Sequence, residues 1–214
     1  MATSKFNHEE HYRGKDLVGK LAKFRITICG TGALGSNLTE TMARQGFTNI
    51  HVIDFDRVEN HNINTQVYGN KDVGALKVNA LCNRIFRDVG VEIESSPKEL
   101  TASNIQKLLK GSQIVIDVFD NSSSRKLVRD ECRTKKISCL HGGLFEGYGE
   151  VCWDDKYLVP RDAEGDVCDY PLARNLIMLT VAILAEEITD FCLSDKPRMA
   201  NWSITLKDLK ISQL

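Results

Sequence analysis

The sequence predicts an α/β protein with a Rossmann-like, doubly wound and mainly parallel sheet and an antiparallel C-terminal extension. Short apolar segments alternate with helical segments from about residue 24 onward, which is typical of parallel strands joined by crossover helices. The first apolar segment leads directly into Gly30–Gly35, GTGALG, which has the GxGxxG spacing of a nucleotide-binding turn. An acidic residue, Asp54, ends the second apolar segment at the distance that this kind of unit requires.

Seven strands are predicted, each from a short run of apolar residues. The first five alternate with helices, and the run over 113–119 is almost continuously apolar, as expected for a strand buried on both faces. The last two belong to the extension, one after Gly142–Gly143 and one with an alternating pattern after a long helix. The predicted strands cover 24–29, 50–54, 91–95, 113–119, 137–141, 150–153 and 202–206.

Six helices are predicted around these strands. Gly46 is a natural stop for the helix after the glycine turn, since glycine readily takes the left-handed conformation found at helix C-termini. In the next helix, apolar residues such as Val78 and Leu81 recur on one face. Polar residues over 56–72 and 159–170 predict loops, and the first of these loops is rich in asparagine. The predicted helices cover 16–22, 34–45, 75–89, 104–110, 124–135 and 172–191.

The length of 214 residues suits a single nucleotide-binding domain over 1–214. Residues 1–20 are expected to be a polar N-terminal lead-in, and residues 145–214 a mixed C-terminal extension. The net charge of −1 gives no electrostatic basis for binding nucleic acid. No segment reaches the ~20 apolar residues of a membrane-spanning helix, and the polar N-terminus predicts no secretory signal.

The cysteines indicate a reducing compartment. Their number, seven, is odd, and no two form a CxxC pair, so neither a disulfide framework nor a zinc site with paired ligands is expected. This pattern favours a cytoplasmic protein, and most of the cysteines lie in apolar surroundings where they would fill the core. The cysteines are Cys29, Cys82, Cys132, Cys139, Cys152, Cys168 and Cys192.

Each glycine of the turn has a predicted role. Gly30 allows the tight turn, Gly32 lets the backbone approach a phosphate, and Gly35 lets the helix pack closely on the strand. The carboxylate of Asp54 can accept hydrogen bonds from ribose hydroxyl groups. A strand, a glycine turn, a helix and an acidic residue in this order favour nucleotide binding over a tight turn without a ligand.

Four groups of polar residues follow predicted strands or lie in loops, where a doubly wound sheet would collect them. They are Asp54–Asp56, His61–Gln66, Lys77 and Asp117–Asn121. Transfer of the adenylyl group of ATP to a carboxylate requires a cation near the phosphates, Mg²⁺ and groups that orient the triphosphate. Lys77 can supply the cation, Asp120 can bind Mg²⁺, and Asn62 can orient the phosphates. The attacking carboxylate is already ionised, so the reaction needs no protein base.

The order of these motifs resembles that of the MoeB/ThiF/HesA family, the relatives of ubiquitin-activating enzymes. The resemblance covers about residues 20–190 and rests on GxGxxG, DxDxV at Asp54–Val58, NxNxQ at Asn62–Gln66, DxGxxK at Asp72–Lys77 and DxxDN at Asp117–Asn121. It implies a ThiF/MoeB-like domain that uses ATP and Mg²⁺ to adenylate the C-terminal Gly-Gly of a ubiquitin-like or sulfur-carrier protein, releasing pyrophosphate. It also implies a homodimer.

The resemblance assigns roles to residues at matching positions. Asp54 would hold the ribose, and Asp120 would bind Mg²⁺. Asn62, Gln66 and Lys77 would contact the phosphates. The complete nucleotide-binding set is Gly30, Gly32, Gly35, Asp54, Asp56, Asn62, Gln66 and Lys77, and the expected catalytic residues are Lys77, Asp120 and Cys168.

Two departures from the family pattern leave an alternative open. Thr65 stands where the family has an arginine, and threonine cannot neutralise a phosphate. His11–Arg13 is only a short match to the N-terminal segment with which many members lend an arginine to their partner. A degenerate member that binds nucleotide or partner without catalysis is therefore the second hypothesis, although a scaffold would need neither Lys77 nor Asp120. An NAD-dependent oxidoreductase uses the same glycine turn but gives those two residues no role.

Three further residues each have two interpretations. Cys168 is either an acceptor for the activated carrier, because a helix N-terminus makes a thiol more nucleophilic, or an ordinary loop cysteine. His141, with Gly142–Gly143, either shapes a channel for a narrow carboxyl tail or has a packing role. Arg125 either pairs with Asp117 or a phosphate, or forms a salt bridge on a helix surface.

Overall fold

Eight strands form one sheet in the computed structural model, which describes residues 3–155, 157–161, 171–194 and 196–214. The strands are β1 (Ile26–Cys29), β2 (Ile50–Ile53), β3 (Glu94–Ser96), β4 (Ile114–Asp117), β5 (Ser138–Phe145), β6 (Tyr148–Trp153), β7 (Trp202–Thr205) and β8 (Lys210–Gln213). Their order across the sheet is β3-β2-β1-β4-β5-β6-β7-β8. The first five pair in parallel, and the last three continue the sheet in antiparallel pairing. The predicted fold class is therefore confirmed.

Seven α-helices lie in the described part of the chain: α1 (Asn7–Arg13), α2 (Lys15–Leu21), α3 (Ala33–Gln45), α4 (Lys77–Val89), α5 (Ile105–Leu108), α6 (Ser122–Lys135) and α7 (Arg174–Leu193). α3, α4 and α7 pack on one face of the sheet, where Ile28 and Ile116 belong to the larger core. α5 and α6 pack on the opposite face, against Cys29 and Val115. Alternate strand residues therefore enter two cores, which buries the central strands on both faces. None of these helices is long and apolar enough to cross a membrane.

β1 lies at the point where the strand order reverses. It pairs with β2 on one side and β4 on the other, and the helices that follow β1 and β4 lie on opposite faces. In this register Cys29, the last residue of β1, lies beside Ile53 and Asp117, which end the two neighbouring strands. A crevice for a ligand is expected at the carboxyl edge of such a sheet, where the two connections diverge.

Some elements differ from the predictions. α1 lies within the predicted lead-in, and none of its residues is buried, so it has no apolar periodicity that would indicate a helix. β8 is unpredicted because it is a mostly exposed edge strand, in which Ile211 aligns with Ile204 of β7. β3 begins at Glu94 rather than at residue 91, since Val91 is buried in the core outside the strand.

Gly142 and Gly143 lie inside β5 and do not form the turn predicted after residue 141. The chain turns around Glu146, where the backbone φ angle is +52°. An ideal Cβ at Gly142 would lie 3.0 Å from a side-chain carbon of Leu184 and 3.1 Å from one of Val118. The small residue at this position therefore allows α7 to pack closely on the sheet.

Candidate functional site

The turn between β1 and α3 has the geometry that its glycine spacing predicts. Gly30 has a φ angle of +97°, which glycine adopts without steric strain. An ideal Cβ at Gly35 would lie 1.9 Å from the backbone oxygen of Gly30, so only glycine lets the helix start this close to the strand. No described protein atom lies within 4 Å of an ideal Cβ at Gly32. Of the three glycines in the turn, only Gly32 has no close neighbour among the described residues, so the backbone of the turn is accessible there.

Asp54, which follows β2, binds this turn through hydrogen bonds. Its carboxylate is buried, and one oxygen accepts hydrogen bonds from the backbone nitrogen of Thr31 at 2.7 Å and from the Thr31 hydroxyl at 2.9 Å. The other oxygen accepts from the backbone nitrogen of Asp56 at 2.8 Å. Tyr68 donates its hydroxyl to the backbone oxygen of Thr31 at 2.9 Å. Sequence analysis missed Thr31 and Tyr68, and a threonine inside the glycine motif is the signal that points to the first.

Hydrogen bonds within the asparagine-rich loop stabilise its conformation. The buried Asn62 accepts a hydrogen bond at Oδ1 from the backbone nitrogen of Glu59 at 2.9 Å. Its backbone oxygen accepts another from the backbone nitrogen of Gln66 at 2.8 Å. Oε1 of Gln66 is buried and has no hydrogen-bond partner among the described residues. Buried acceptors normally have a partner, so this oxygen is a candidate to accept a hydrogen bond from a ligand or from ordered water.

A cavity of about 560 Å³ adjoins the same loop. Arg174, the first residue of α7, lines it together with Arg84 and Gln66, and its Nη1 donates to the backbone oxygen of Asn64 at 3.4 Å. The hydroxyl of Thr65 donates to the backbone oxygen of its own loop at Asn62. Arg84 of α4 and Arg174 of α7 therefore lie beside this loop, in which Thr65 stands at the position of the family's arginine.

Lys77 and Asp56 form a close ion pair. The ammonium nitrogen of Lys77 lies 2.8 Å from a carboxylate oxygen of Asp56. The side chain of Lys77 is 10% exposed and that of Asp56 is 48% exposed. Asp56 is connected through Asp54 to the glycine turn, so the predicted cation lies within one network of contacts with that turn.

Asp120 follows β4, and its side chain is exposed. Oδ1 accepts a long hydrogen bond of 3.4 Å from Nδ2 of Asn121, whose own oxygen caps α6 by accepting from the backbone nitrogen of Ser124 at 2.9 Å. In the part of the chain that the structure describes, no cluster of three or more His, Cys, Asp or Glu residues could hold a metal ion. One exposed carboxylate fits Mg²⁺, which commonly takes one or two protein carboxylates and completes its shell with phosphate oxygens and water.

A buried charged cluster lies where the carboxyl end of β4 meets the middle of β5. Nδ1 of His141 is 2.9 Å from Oδ2 of Asp117, and Nε2 is 3.2 Å from Oδ1 of Asp154. The ring of Tyr157 stacks on the imidazole with 3.6 Å between the ring centroids. His141 is 1% exposed, so the structure supports its packing interpretation and does not present it at the surface of a channel.

Arg125 belongs to the same cluster. It donates to the hydroxyl of Tyr157 and to the backbone oxygen of Gly142, both at 2.8 Å, and lies 4.0 Å from a carboxylate oxygen of Asp117. Burial by itself would lower the pKa of the guanidinium, but Asp117 and Tyr157 raise this pKa overall. The interpretation of Arg125 as a partner of Asp117 is confirmed, and the surface salt bridge is wrong.

Arg13 is bound within its own chain. Its guanidinium donates to Glu9 at 2.7 Å and, through both Nη atoms, to Glu186 at 3.2 and 2.7 Å. The hydrogen bond to Glu186 raises the pKa of Arg13, although burial opposes the rise. Arg13 would have to leave two carboxylates before it could serve a partner subunit.

Cys168 lies outside the described residues. Burial raises the pKa of the Cys29 and Cys139 thiols well above the ordinary value, and it raises the pKa of Cys152 to about 11. These thiols are therefore protonated near neutral pH and are poor nucleophiles. Cys29 is fully buried in the core, as its place in the first strand predicts.

A family model described as the ThiF family matches residues 8–163. The SAMP-activating enzyme E1 of Haloferax volcanii is 30% identical over 141 residues, which cover 64% of this chain and 52% of that protein. The sulfur carrier protein ThiS adenylyltransferase of Bacillus subtilis is 31% identical over 134 residues, which cover 61% of this chain and 40% of that protein. The chain thus spans about half the length, or less, of these two curated relatives.

Solved structures share the whole fold. E. coli MccB in complex with MccA-N7isoASN has a TM-score of 0.84 at 16% identity, covering 100% of this chain and 72% of that chain. The protein PaaA has a TM-score of 0.80 at 19% identity, covering 98% and 72%. At such low identity the likeness shows the fold, a mostly parallel sheet with an antiparallel extension.

Proposed function

Because the chain belongs to the ThiF family, we propose that it is an ATP-dependent adenylyltransferase that activates the C-terminal carboxylate of a ubiquitin-like or sulfur-carrier protein, or of a peptide. One observation carries the proposal: three of the predicted site residues, Asp54, Asp56 and Lys77, are linked by contacts to one turn. Asp54 binds that turn and Asp56, and Asp56 binds Lys77. The names of the two curated relatives, an activating enzyme and an adenylyltransferase, support the same reaction.

The loop that carries Asp120 reaches the turn from the other side. An ideal Cβ at Gly30 would lie 3.1 Å from the backbone oxygen of Val118 and 3.2 Å from a ring carbon of Phe119. The network through Asp54 and the loop after β4 thus converge on the crevice between β1 and β4, where folds of this class bind nucleotides.

Asp54 retains capacity for a ribose hydroxyl. An ionised carboxylate offers about four acceptor sites, and three are used by Thr31 and by the backbone of Asp56. The backbone at Gly32 would bind a phosphate because donors at a helix N-terminus favour an anion. ATP binding at this turn is therefore consistent with the contacts that the turn already makes.

The triphosphate requires positive charge and hydrogen bonds. In this proposal Lys77 supplies the cation, and the amides of Asn62 and Gln66 orient the phosphates. Asp120 would hold Mg²⁺, which neutralises charge on the phosphate oxygens when it is bound. The carboxylate of the carrier attacks the α-phosphorus, and the bond to pyrophosphate breaks, so that no proton has to move.

Three further parts of the proposal concern the whole protein. The carrier would end in Gly-Gly, since a tail without side chains can approach a backbone closely. The protein would act as a homodimer, in line with the family resemblance, and in the cytoplasm, in line with a sequence whose seven cysteines predict no disulfide framework.

A non-catalytic member that binds nucleotide or partner is the alternative, and one structural observation favours it. Arg13 is the nearest counterpart of the arginine that family members lend to their partner, and Glu9 and Glu186 hold it in its own chain. The other family arginine is replaced by Thr65, which carries no charge. Neither of the two family arginines would then reach the site in the usual way. Adenylation would therefore be slower or would not occur.

The experiment that tests the proposal is ATP–pyrophosphate exchange with Mg²⁺ against a panel of small ubiquitin-fold proteins that end in Gly-Gly. Each carrier is paired with a truncated form that lacks the two glycines. We expect exchange with one carrier and none with its truncated form. If ATP binds in a calorimetric titration but no carrier supports exchange, the non-catalytic alternative is favoured.

A further inference from the structure

His141 connects two carboxylates that belong to different parts of the sheet. In the parallel pairing of β4 and β5 it lies beside Asp117, and the two side chains form a hydrogen bond of 2.9 Å. On its other side the ring meets Asp154, which follows β6, at 3.2 Å. Asp117 is fully buried, so its charge depends on donors supplied by the protein.

Each ring nitrogen of His141 lies within hydrogen-bond distance of one carboxylate oxygen, and a nitrogen that carries a proton donates to that oxygen. Burial would raise the pKa of Asp154, but hydrogen bonds from His141 and Arg133 lower this pKa overall. The imidazole ring of His141 thus lies between two carboxylates. The charged and titratable groups around it are Asp117, Arg125, Arg133, Glu150, Asp154 and Tyr157.

Asp117 in turn fixes the start of the loop after β4. Its second oxygen accepts from the backbone nitrogen of Phe119 at 3.3 Å, and the backbone nitrogen of Val118 donates to the backbone oxygen of Cys29 at 3.0 Å. Asp120 is the next residue. The direction in which Asp120 leaves the sheet thus follows from how Asp117 is held.

We propose that His141 is a positioning residue for Asp120. Its ring binds Asp117, Asp117 binds the backbone of the loop, and Asp154 with Arg133 fixes the ring from the far side. The inference rests on the proposed function, because Asp120 acts on Mg²⁺ only in a protein that binds ATP with the metal. A purely structural role for His141 predicts an effect on stability without a selective effect on metal-dependent binding.

Two variants separate the two hydrogen bonds of the ring. The amide nitrogen in His141→Asn can reach the place of Nδ1 and keep a donor for Asp117. The amide nitrogen in His141→Gln can reach the place of Nε2 and keep a donor for Asp154, but it leaves Asp117 without one. His8→Gln, in an exposed position of α1, is the matched control for the loss of a histidine.

The measurement is the affinity for ATP with Mg²⁺ and with a chelator, by calorimetric titration, for the wild type, these variants and Asp120→Asn. We expect the gain in affinity from Mg²⁺ to fall about tenfold in His141→Gln, the lower end of the 10–100-fold loss typical when a group that orients a metal ligand is removed, because His141 acts on Asp120 only through Asp117. The Asn variant should stay closer to the wild type. Thermal unfolding of each variant checks that the fold persists.

The outcomes distinguish this inference from the proposed function. Equal losses in both histidine variants, or no loss in either, with a wild type that responds to Mg²⁺, would overturn the positioning role alone. A wild type that binds no ATP, or binds it equally well with the chelator, would overturn the proposed function and the inference with it. A nitrogen-15 NMR spectrum supplies an independent check, because a His141 ring whose Nδ1 carries no proton would contradict the donation to Asp117.

Discussion

The ammonium of Lys77 lies 2.8 Å from the carboxylate of Asp56, and the backbone nitrogen of Lys77 donates to the backbone oxygen of Asp56, also at 2.8 Å. These two bonds join the end of β2 to the first turn of α4 across the asparagine-rich loop. The lysine side chain is mostly buried, whereas its partner is half-exposed. The carboxylate and backbone of Asp56 therefore hold the cation of Lys77 in place.

Lys77→Ala should lower the rate of ATP–pyrophosphate exchange by about 10²–10³, the usual effect of removing one preorganised electrostatic group. The matched control is Lys126→Ala, which removes an exposed lysine on α6. Exchange rates for both variants, with circular dichroism to check the fold, test the prediction. A rate within a few-fold of the wild type for Lys77→Ala would exclude its role at the phosphates.

Asp120→Asn should abolish exchange and leave the fold intact, because the carboxylate is exposed and its removal disrupts no buried contact. Rates over a range of Mg²⁺ concentrations provide the measurement, and Asp130→Asn on α6 is a control for the loss of a surface carboxylate. Undiminished exchange at ordinary Mg²⁺ concentrations would contradict the assignment of Asp120 to the metal.

The glycines of the turn should separate stability from binding. An ideal Cβ at Gly35 would meet the backbone of Gly30, so Gly35→Ala should lower the free energy of unfolding by about 3 kcal/mol, at the upper end for overpacking. Gly32→Ala meets no described atom, so the free energy of unfolding should change by less than about 1 kcal/mol. The affinity of Gly32→Ala for ATP should nevertheless fall by at least about tenfold, or about 1.4 kcal/mol. Urea unfolding and ATP titration measure the two effects, and an unchanged affinity would show that no phosphate approaches Gly32.

The sequence predicts the fold because apolar runs, helical periodicity and the glycine turn are local patterns. It also predicts the positions of Asp54 and Lys77, since both follow directly from strand and motif order. It does not predict the contact between Asp117 and His141, which depends on the register of two strands. Nor does it predict that Arg13 binds Glu186, 173 residues away, because a sequence pattern has no information on which distant charges meet. Nor does it predict that Leu184 of α7 packs against Gly142, because this contact also joins segments distant in the sequence.

Glu187 is the polar centre of the C-terminal extension, and its removal should destabilise the protein. It is 1% exposed, and its oxygens accept from the indole nitrogens of Trp153 and Trp202, from the guanidinium of Arg198 and from the backbone of Ala200. We expect Glu187→Gln to lower the free energy of unfolding by about 1.5–3 kcal/mol, the range for hydrogen bonds to a charged group.

The same contacts provide the measurement for Glu187→Gln. The protein has two tryptophans, and both donate to Glu187. Their fluorescence during urea unfolding should therefore report the loss of stability in Glu187→Gln. Glu186→Gln, next along the helix, removes a half-exposed partner of Arg13 and should cost no more than about 1 kcal/mol. Equal effects of the two substitutions would show that the buried network contributes no more than a surface pair.

Cys168 should be the acceptor thiol if the activated carrier is passed to a cysteine. Cys168→Ala should still support ATP–pyrophosphate exchange, because adenylation precedes transfer, but it should form no conjugate that a reductant releases. Cys152→Ala is the matched control: burial holds the Cys152 pKa at about 11, so its thiolate becomes abundant only as the pH rises toward that value. Gel electrophoresis with and without reductant, after incubation with ATP and the carrier, distinguishes the variants. The prediction would be contradicted if a reductant-sensitive conjugate persisted in Cys168→Ala and disappeared in Cys152→Ala. The acceptor would then be Cys152, whose thiol would have to react despite its raised pKa.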